Sequence, residues 1–251
     1  MRSLTTPLAV AVLVYLAICA AMFVFQRALI YLPHAGIAVG QATKLSAPAS
    51  ELWVSTRPHD GPKALIYFGG NAEDVSRNLP SFAEAFADCA LYLLHYRGFG
   101  GSPGRPSEDA LHEDALALFD KVHASHPDVA VLGRSLGSGV AVRLASQRPV
   151  ARLLLVTPYD SLEDLAVRHY PIFPVRWLLL DKFESWRFAP AVGVPTLLVA
   201  AEHDEIVPRA STEQLLSRFG SGIATLKVIP GAGHNDLSDS PHYLEWLKAA
   251  L

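Results

Sequence analysis

The first feature of the chain is an unbroken apolar run near its N-terminus. Every residue from Leu8 to Phe25 is apolar, and the run is bounded by Pro7 and by Gln26 and Arg27. Eighteen helical residues rise about 27 Å, which is close to the ~30 Å hydrocarbon core of a bilayer. A buried helix of a globular domain usually carries a polar stripe, and this run has none. The pattern predicts a retained, single-pass signal-anchor.

Two other interpretations of the run stay open. It is longer than the apolar region of a typical secretory signal peptide, but the small residues around Cys19, Ala20 and Ala21 are compatible with cleavage. A core helix is the third interpretation. Positive charge lies on both sides of the run, at Arg2 and Arg27, so the charge rule hardly selects an orientation. We expect the N-terminus inside and the following domain outside the cytoplasm.

From about Glu51 onward, short apolar runs alternate with helical patterns, which is typical of a mostly parallel sheet flanked by helices. Most of the runs are continuously apolar, as expected for strands that are covered on both faces. The predicted strands are a weaker Glu51–Thr56, then Lys63–Phe68, Ala90–Tyr96, Val129–Leu132, Ala151–Val156, Thr196–Ala200 and Thr225–Ile229. The predicted helices are one that begins at Ser107, then Leu136–Ser146, Ser211–Phe219 and Pro241–Leu251. The fold class is therefore α/β.

One connection is much longer than the others. About forty residues, rich in aromatic side chains and prolines, separate the strand ending near Val156 from the strand at Thr196. A structureless loop of that length would be unusual, so we predict a small helical lid over residues 158–190. An extra pair of core helices is the alternative. The predicted organisation is an anchor, residues 1–27, followed by one domain, residues 28–251.

Composition and charge exclude several classes of protein. Hydrophobic residues make up 51% of the chain and charged residues 18%, with a formal net charge of -3. Such a chain is neither disordered nor a coiled coil, and it lacks the basic surplus of a nucleic-acid binder, so we expect no nucleic-acid partner. The two cysteines, Cys19 and Cys89, exclude a disulfide scaffold. Without the apolar N-terminal run, the composition is that of an ordinary globular domain.

The pentapeptide Gly133–Gly137 lies between a predicted strand and a predicted helix and has the pattern Gly-x-Ser-x-Gly. A sharp strand-to-helix turn exposes the serine hydroxyl, and the flanking glycines permit the close approach of the helix. We therefore predict Ser135 as a nucleophile. Its neighbour Ser138 is a rival, but it lacks glycines at the required offsets.

A serine needs a base and an acid behind it, and in this architecture the order along the chain is serine, acid, histidine. Asp204 and His234 follow two later predicted strands, and active residues of parallel sheets gather at the carboxyl ends of strands. We predict Asp204 as the acid and His234 as the base. The rivals are His95 for the base, and Glu202, Glu205 and Asp236 for the acid.

Two further groups of residues are candidates for binding a metal ion or an anionic ligand. His203 beside Asp204, and His234 near Asp236, have no completed set of metal ligands, so we expect no metal and no cofactor. The lid arginines could meet lipid headgroups or anionic substrates, or could be a solvated face. They are Arg168, Arg176 and Arg187.

An oxyanion hole needs two backbone amides. One is expected from Leu136, at the start of the helix that follows the serine. The other is expected from Asn71, because Gly69 and Gly70 after the first long strand let the backbone approach a substrate closely.

Taken together, these motifs resemble the serine hydrolases of the α/β-hydrolase fold, and most closely a small-lid branch with membrane-anchored α/β-hydrolase-domain proteins and protein depalmitoylases. The resemblance rests on Phe25–Pro33, Tyr67–Glu73, Tyr96–Gly100, Gly133–Gly137, Thr157–Leu162, Asp204–Pro208 and Gly231–Asp236. It implies Ser135 as nucleophile, Asp204 as acid, His234 as base, and the amides of Asn71 and Leu136 as oxyanion hole. Gly69 and His95 stand where the family usually has His and Asp, and the cysteine-rich N-terminus of the eukaryotic depalmitoylases is missing.

The function expected from the sequence is that of a membrane-anchored serine hydrolase. Its substrates would be small-molecule or lipid-like acyl esters or thioesters, cleaved through an acyl-enzyme. Two alternatives remain open: a catalytically silent binding or scaffold protein on the same fold, and a peptide or amide hydrolase.

Overall fold

A computed structural model describes residues 5–34, 42–47 and 50–251 of the protein. Its centre is an eight-stranded sheet with the strand order β1-β2-β4-β3-β5-β6-β7-β8. Strands β3 to β8 run parallel, while β2 is antiparallel to both β1 and β4. The strands are β1 Ala42–Ala47, β2 Ser50–Arg57, β3 Lys63–Phe68, β4 Ala90–Leu94, β5 Asp128–Arg134, β6 Arg152–Val156, β7 Thr196–Ala201 and β8 Ala224–Ile229.

Helices cover both faces of the sheet. Helix α1 precedes it, α5 to α7 lie in the lid, and the remaining helices connect successive strands or close the chain. Their bounds are α1 Thr5–Ile30, α2 Leu79–Ala85, α3 Glu108–His123, α4 Leu136–Ala145, α5 Leu162–His169, α6 Val175–Leu178, α7 Ser185–Phe188, α8 Arg209–Leu216 and α9 Pro241–Ala249.

The apolar core is split by the sheet into two clusters, because successive side chains of a strand point to opposite faces. In β3, Ile66 and Phe68 join the cluster beneath α3 and α4, whereas Leu65 and Tyr67 join the cluster beneath α2 and α9. All of these side chains are buried. The continuously apolar strands of the sequence are therefore covered on both faces, as predicted.

The structure confirms the predicted α/β-hydrolase fold and its mostly parallel sheet, with differences at the edges. Strand β1 was not predicted, because at this sheet edge only Leu45 of its six residues is buried and half of the six are polar. The seven-residue α2 was also missed. Strand β4 ends at Leu94, two residues before the predicted Tyr96, and α8 covers Arg209–Leu216 rather than Ser211–Phe219.

Helix α1 lies largely outside the core. Among the described residues, the segment Thr6–Ile30 is long and apolar enough to cross a membrane, with a mean hydropathy of 2.8 and 6% of its most apolar window buried. Such exposure does not fit the alternative of a core helix. Residues 1–4, including the Arg2 used in the orientation argument, lie outside the described residues.

Candidate active site

Ser135 occupies the sharp turn between β5 and α4. Its backbone adopts φ 48° and ψ -116°, in the region that is strained for residues other than glycine. A Cβ atom at Gly137 would overlap the carbonyl oxygen of Phe68, and one at Gly133 would lie 2.5 Å from the carbonyl oxygen of Gly137. The two glycines are therefore required for α4 to start directly against the sheet.

The structure brings the three predicted side chains together. The Oγ of Ser135 lies 3.0 Å from Nε2 of His234, and Nδ1 of His234 lies 2.8 Å and 3.0 Å from the two carboxylate oxygens of Asp204. Because an ionised carboxylate only accepts hydrogen bonds, Nδ1 carries the proton, and Nε2 is left to accept one from the serine hydroxyl. This polarity is what a base needs in order to take the proton of Ser135.

Asp204 is fixed by its own loop after β7. One carboxylate oxygen accepts hydrogen bonds from the backbone amides of Ile206 at 2.9 Å and Val207 at 2.7 Å. The side chain is 1% exposed. The carboxylate is thus held in place by its own loop, independently of its bond to the imidazole, and it is shielded from water.

The turn after β3, residues 69–71, carries the backbone amide of Asn71 that the sequence predicts for an oxyanion hole, and we call it the oxyanion turn. The amide of Gly70 donates to Oε2 of Glu73 at 2.6 Å and is therefore already used. The backbone amide of Asn71 has no acceptor within the described residues. As the first residue of α4, Leu136 has an amide without an intrahelical acceptor. Asn71, Leu136 and Ser135 all line one cavity.

Glu73 and Arg134 form a partly buried network that sequence reasoning missed. Besides the amide of Gly70, Glu73 accepts from the Tyr67 hydroxyl and the Asn78 side chain, both at 2.6 Å, and it pairs with Arg134 at 3.1 Å. A second guanidinium nitrogen of Arg134 donates to the carbonyl of His234 at 3.2 Å. The pair therefore ties the oxyanion turn to the loop that carries the histidine.

Burial and charge perturb the groups of this network. Burial, reinforced by the nearby Glu73 carboxylate, raises the pKa of Tyr67 well above its ordinary value. Burial alone would lower the pKa of Arg134, but the combined interactions with Glu73, Tyr67 and Tyr243 raise that pKa above its ordinary value. Both groups thus keep their protons and serve as permanent donors to Glu73. A signal was present in the sequence, since Glu73 and Arg134 both lie within the family-like motifs.

The side chain of Asn71 connects the oxyanion turn to the end of α1. Its Nδ2 donates to the carbonyl of Ile30 at 2.6 Å, and its Oδ1 accepts from the amide of Leu32 at 2.9 Å. The sequence pointed to the backbone of this residue alone. The structure adds that its side chain fixes the position of the turn relative to the apolar helix.

An apolar cleft opens beside Ser135. The cavity has a volume of about 280 Å³ and is lined by residues from α1, from the lid and from the loop after Asp204. Apart from Gln26, Asn71, Ser135 and His169, the lining side chains are apolar or aromatic. A cleft with few polar groups at one end suits a ligand with a reactive polar head and an apolar body.

The side chains of the rivals Ser138, His95, Glu202 and Asp236 have hydrogen-bond partners other than Ser135 Oγ. The hydroxyl of Ser138 is buried and donates to the carbonyl of Ser135 at 2.7 Å. The imidazole of His95 is paired with Ser55 at 2.9 Å. Glu202 and Asp236 accept from the amides of Gly231 and Gly233 and so support the loop that carries His234.

The lid arginines have different surroundings. Arg176 pairs with Glu163 and Asp164, while Arg187 pairs with Glu184 and is 60% exposed. Arg168 is exposed. Two of the three arginines thus form ion pairs with carboxylates of the lid itself.

The described residues contain a group of three side chains that could hold a metal ion, at a place the sequence did not indicate. Ligand atoms of His34, Asp74 and His95 lie within 4.8 Å of one another. Nε2 of His34 and Nδ1 of His95 are buried without a hydrogen-bond partner within the described residues. Burial lowers the pKa of His95 to about 4, which keeps its imidazole neutral. None of these three residues is among those that line the cleft.

Comparisons with known proteins agree with this fold. The family described as Hydrolase_4, serine aminopeptidase S33, matches residues 61–188 and 184–241 of the chain. The uncharacterized protein Rv2307c of Mycobacterium tuberculosis is 36% identical over 247 residues, covering 90% of this chain and 87% of that protein. The alpha/beta hydrolase domain-containing protein aho-3 of Caenorhabditis elegans is 31% identical over 194 residues, covering 74% of this chain and 57% of that protein.

Solved structures give the same architecture. The esterase Pf2001 of Pyrococcus furiosus superposes with a TM-score of 0.71 at 15% identity, covering 88% of this chain and 98% of that one. Est1E of Butyrivibrio proteoclasticus, solved with ferulic acid bound, gives a TM-score of 0.69 at 16% identity, covering 83% of this chain and 96% of that one. At these identities the likeness concerns the fold.

Proposed function

Since the chain belongs to the Hydrolase_4 family of α/β hydrolases, we propose that it is a membrane-anchored serine hydrolase that cleaves carboxylic esters or thioesters. The observation that carries the proposal is the continuous path from Ser135 Oγ through His234 to Asp204, with contacts of 3.0 Å and 2.8 Å. The serine at the start of this path lines an apolar cleft. This combination supports acyl transfer to the serine.

The first step forms an acyl-enzyme. His234 Nε2 takes the proton of Ser135 as Oγ attacks the ester carbonyl carbon, and the carbonyl oxygen becomes an oxyanion that accepts from the amides of Asn71 and Leu136. The bond to the leaving group then breaks, and His234 gives its proton to the departing alcohol or thiol. Asp204 holds the imidazole tautomer and stabilises the imidazolium that forms between these events.

The second step releases the acid and restores the enzyme. A water molecule gives a proton to His234 Nε2 and its oxygen attacks the acyl carbonyl, again with the oxyanion on the two amides. Collapse of this intermediate breaks the bond to Ser135, and the proton on His234 returns to Oγ. The product is a free carboxylic acid.

The proposal includes retention of α1 in a membrane. It is supported by the length and apolarity of Thr6–Ile30 and by the exposure of most of its side chains. Resistance of the full-length protein to alkaline extraction tests retention, because a peripheral protein would be released. With the hydrolase domain outside the cytoplasm, an alkaline-phosphatase fusion at Leu251 is active in bacteria, whereas an inactive, stable fusion contradicts that side.

Amide hydrolysis is the second candidate, because the family description is that of a serine aminopeptidase. An aminopeptidase must bind the α-ammonium group of its substrate, which calls for a carboxylate near the serine. Within the described residues, the lining of the cleft includes no Asp or Glu. We therefore expect p-nitrophenyl esters to be turned over far faster than aminoacyl p-nitroanilides. The reverse order would favour the peptidase.

The decisive experiment compares the wild type with Ser135→Ala and with Ser138→Ala as the matched control. Ser135→Ala should lose about 10³-fold or more in the turnover of a short p-nitrophenyl ester and should not react with a fluorophosphonate. Ser138→Ala should keep both. A wild type that neither hydrolyses esters nor labels would instead favour a silent binding protein on this fold.

A further inference from the structure

Within the described residues, one stripe of helix α1 makes most of the contacts with the rest of the protein. The stripe consists of Tyr15, Cys19, Met22, Gln26 and Ile30, which are spaced by three or four residues and therefore share one helix face. Met22, Gln26 and Ile30 line the cleft that contains Ser135. An anchor that only tethered the domain would need no such stripe.

The contacts of α1 with the lid change in character along the helix. Near its end, Arg27 forms two hydrogen bonds with Asp181, at 2.9 Å and 3.2 Å. The preceding residue, Gln26, donates to the carbonyl of Leu178 at 3.1 Å and accepts from the amide of Leu180 at 2.7 Å. These polar contacts fix the lid to the last turns of α1.

Deeper along α1 the contacts become apolar. The ring of Tyr15 stacks on Phe173 with 5.9 Å between the ring centroids, and its hydroxyl donates to the carbonyl of Ile172 at 2.8 Å. We call residues 170–174 of the lid, Tyr-Pro-Ile-Phe-Pro, the lid apex. The apex contains no charged residue. Ile172 at its centre is 72% exposed, and its backbone carbonyl is the group that accepts from the Tyr15 hydroxyl.

This order matches the polarity profile of a bilayer. Tyr15 precedes Arg27 by twelve residues, a rise of about 18 Å along the helix. With the apolar run of α1 in the hydrocarbon core, Arg27 and Asp181 lie at headgroup level, whereas the lid apex lies at the depth of the acyl chains. An exposed apolar apex at that depth is solvated by lipid rather than by water.

We propose that the cleft is an acyl-binding site whose one wall is the membrane helix itself, and that the lid apex enters the same leaflet. A single acyl chain of a membrane-resident ester or thioester then passes sideways from the bilayer into the cleft, between α1 and the lid, and brings its carbonyl to Ser135. The inference rests on the proposed hydrolase function and adds to it the location of the substrate and the residues that select its chain. Met22, on the stripe and in the lining, is a specificity-determining residue.

The test of the wall is a chain-length profile of the full-length protein in phosphatidylcholine vesicles. Met22→Trp fills the cleft, and Val24→Trp is the matched control, because Val24 lies on the opposite face of α1 and is 69% exposed. Met22→Trp should lower the ratio of palmitate to butyrate ester turnover by about tenfold or more. Val24→Trp should leave the ratio at its wild-type value.

The test of the lid apex uses a fluorophore attached at Ile172→Cys, with Ser221→Cys as control. Ser221 is exposed in the loop before β8, at the amino edge of the sheet opposite the site. Brominated lipids should quench the fluorophore at position 172 but leave the one at 221 bright. Equal, weak quenching at the two positions overturns the membrane position of the apex.

Fluorophosphonate labelling separates this inference from the proposed function. Absence of label on wild-type Ser135 contradicts the hydrolase itself. Labelling that is kept in Met22→Trp with an unchanged palmitate-to-butyrate ratio contradicts only the wall. If the tryptophan variant does not label, the smaller Met22→Phe provides the same comparison, and a ratio that does not fall there overturns the wall equally.

Discussion

Two regions of this protein meet at Ser135 and are built in opposite ways. The carboxyl edge of the sheet presents polar groups that hold one another, as in the network of Glu73 with Arg134 and in Asp204 with its two amides. The other side of the serine is a wall of apolar side chains from α1 and the lid. The first region fixes atoms to within hydrogen-bond distances, whereas the second offers volume and little directionality.

The difference indicates a division of labour. Proton transfer and oxyanion stabilisation depend on geometry, so losing one polar group of the sheet edge should reduce turnover for every substrate. An apolar wall acts through the surface it buries, so changes there should alter the preference among acyl chains. Variants of the two regions should therefore separate a loss of rate from a change of selectivity.

The largest effect is expected for Asp204→Asn. The substitution removes the charge that stabilises the imidazolium and favours the wrong tautomer of His234, so kcat should fall by roughly 10³–10⁴-fold for short and long esters alike. Steady-state kinetics with butyrate and octanoate esters measures it. Asp236→Asn is the control, because the Asp236 carboxylate accepts a hydrogen bond from the amide of Gly233 rather than from His234. A loss of kcat in this variant as large as in Asp204→Asn would mean that the acid is misassigned.

A smaller loss of rate is expected for Glu73→Gln. The amide cannot balance the charge of Arg134 and cannot accept from all four of its present donors, so the oxyanion turn should lose its fixed position. We expect kcat to fall about tenfold to a hundredfold with KM little changed. A variant in which KM rises and kcat is kept would place Glu73 in substrate binding rather than in positioning the turn.

Asp181→Asn tests the connection between α1 and the lid. Asp181 is buried and accepts from Arg27 and Tyr31, so we expect a loss of about 1–3 kcal/mol in the free energy of unfolding. The palmitate-to-butyrate ratio should fall, while butyrate turnover changes little. Glu184→Gln instead breaks a pair with Arg187, whose side chain is 60% exposed, and should change the free energy of unfolding much less. Equal stability of the two variants would argue against a structural role of Asp181.

The smallest effect on turnover is expected for His112, which lies outside both regions and is tested through stability instead. Burial, reinforced by the positive charge of Arg143, lowers the pKa of His112 from 6.5 to about 4. Between these pH values the unfolded chain binds a proton that the folded protein does not, so stability falls as the pH drops from 6.5 to 4. His112→Gln should reduce this acid loss by roughly 2–3 kcal/mol at pH 4. Denaturant unfolding at pH 7 and pH 4 measures it, and equal losses in wild type and variant would contradict the assignment.

The sheet edge could be predicted from the sequence because its signals are local. The predicted limits of β3 agree with the structure, and Ser135, Asp204 and His234 each follow a strand, as their surroundings in the sequence indicated. In a parallel sheet, residues placed after strands converge at one edge, so order along the chain translates into proximity. Their roles remain proposals until the variants are measured.

The apolar wall could not be predicted in the same way. An apolar run such as Leu8–Phe25 indicates burial in a membrane or a protein core. Because the run has no polar stripe, its pattern does not predict which side chains face a lid about 150 residues later in the chain. The bond from Tyr15 to Ile172 and the ion pair of Arg27 with Asp181 are long-range contacts without a local motif. Strand β1 was missed for a related reason, because its edge position leaves most of its residues without an apolar pattern.

The most direct measurement maps the covalent intermediate. The full-length protein in vesicles is quenched with acid during turnover of p-nitrophenyl octanoate, digested and examined by mass spectrometry. The account predicts an octanoyl group on the peptide that contains Ser135, and its absence in Ser135→Ala. An octanoyl group on another residue, or continued ester hydrolysis by Ser135→Ala at the wild-type rate, would contradict it.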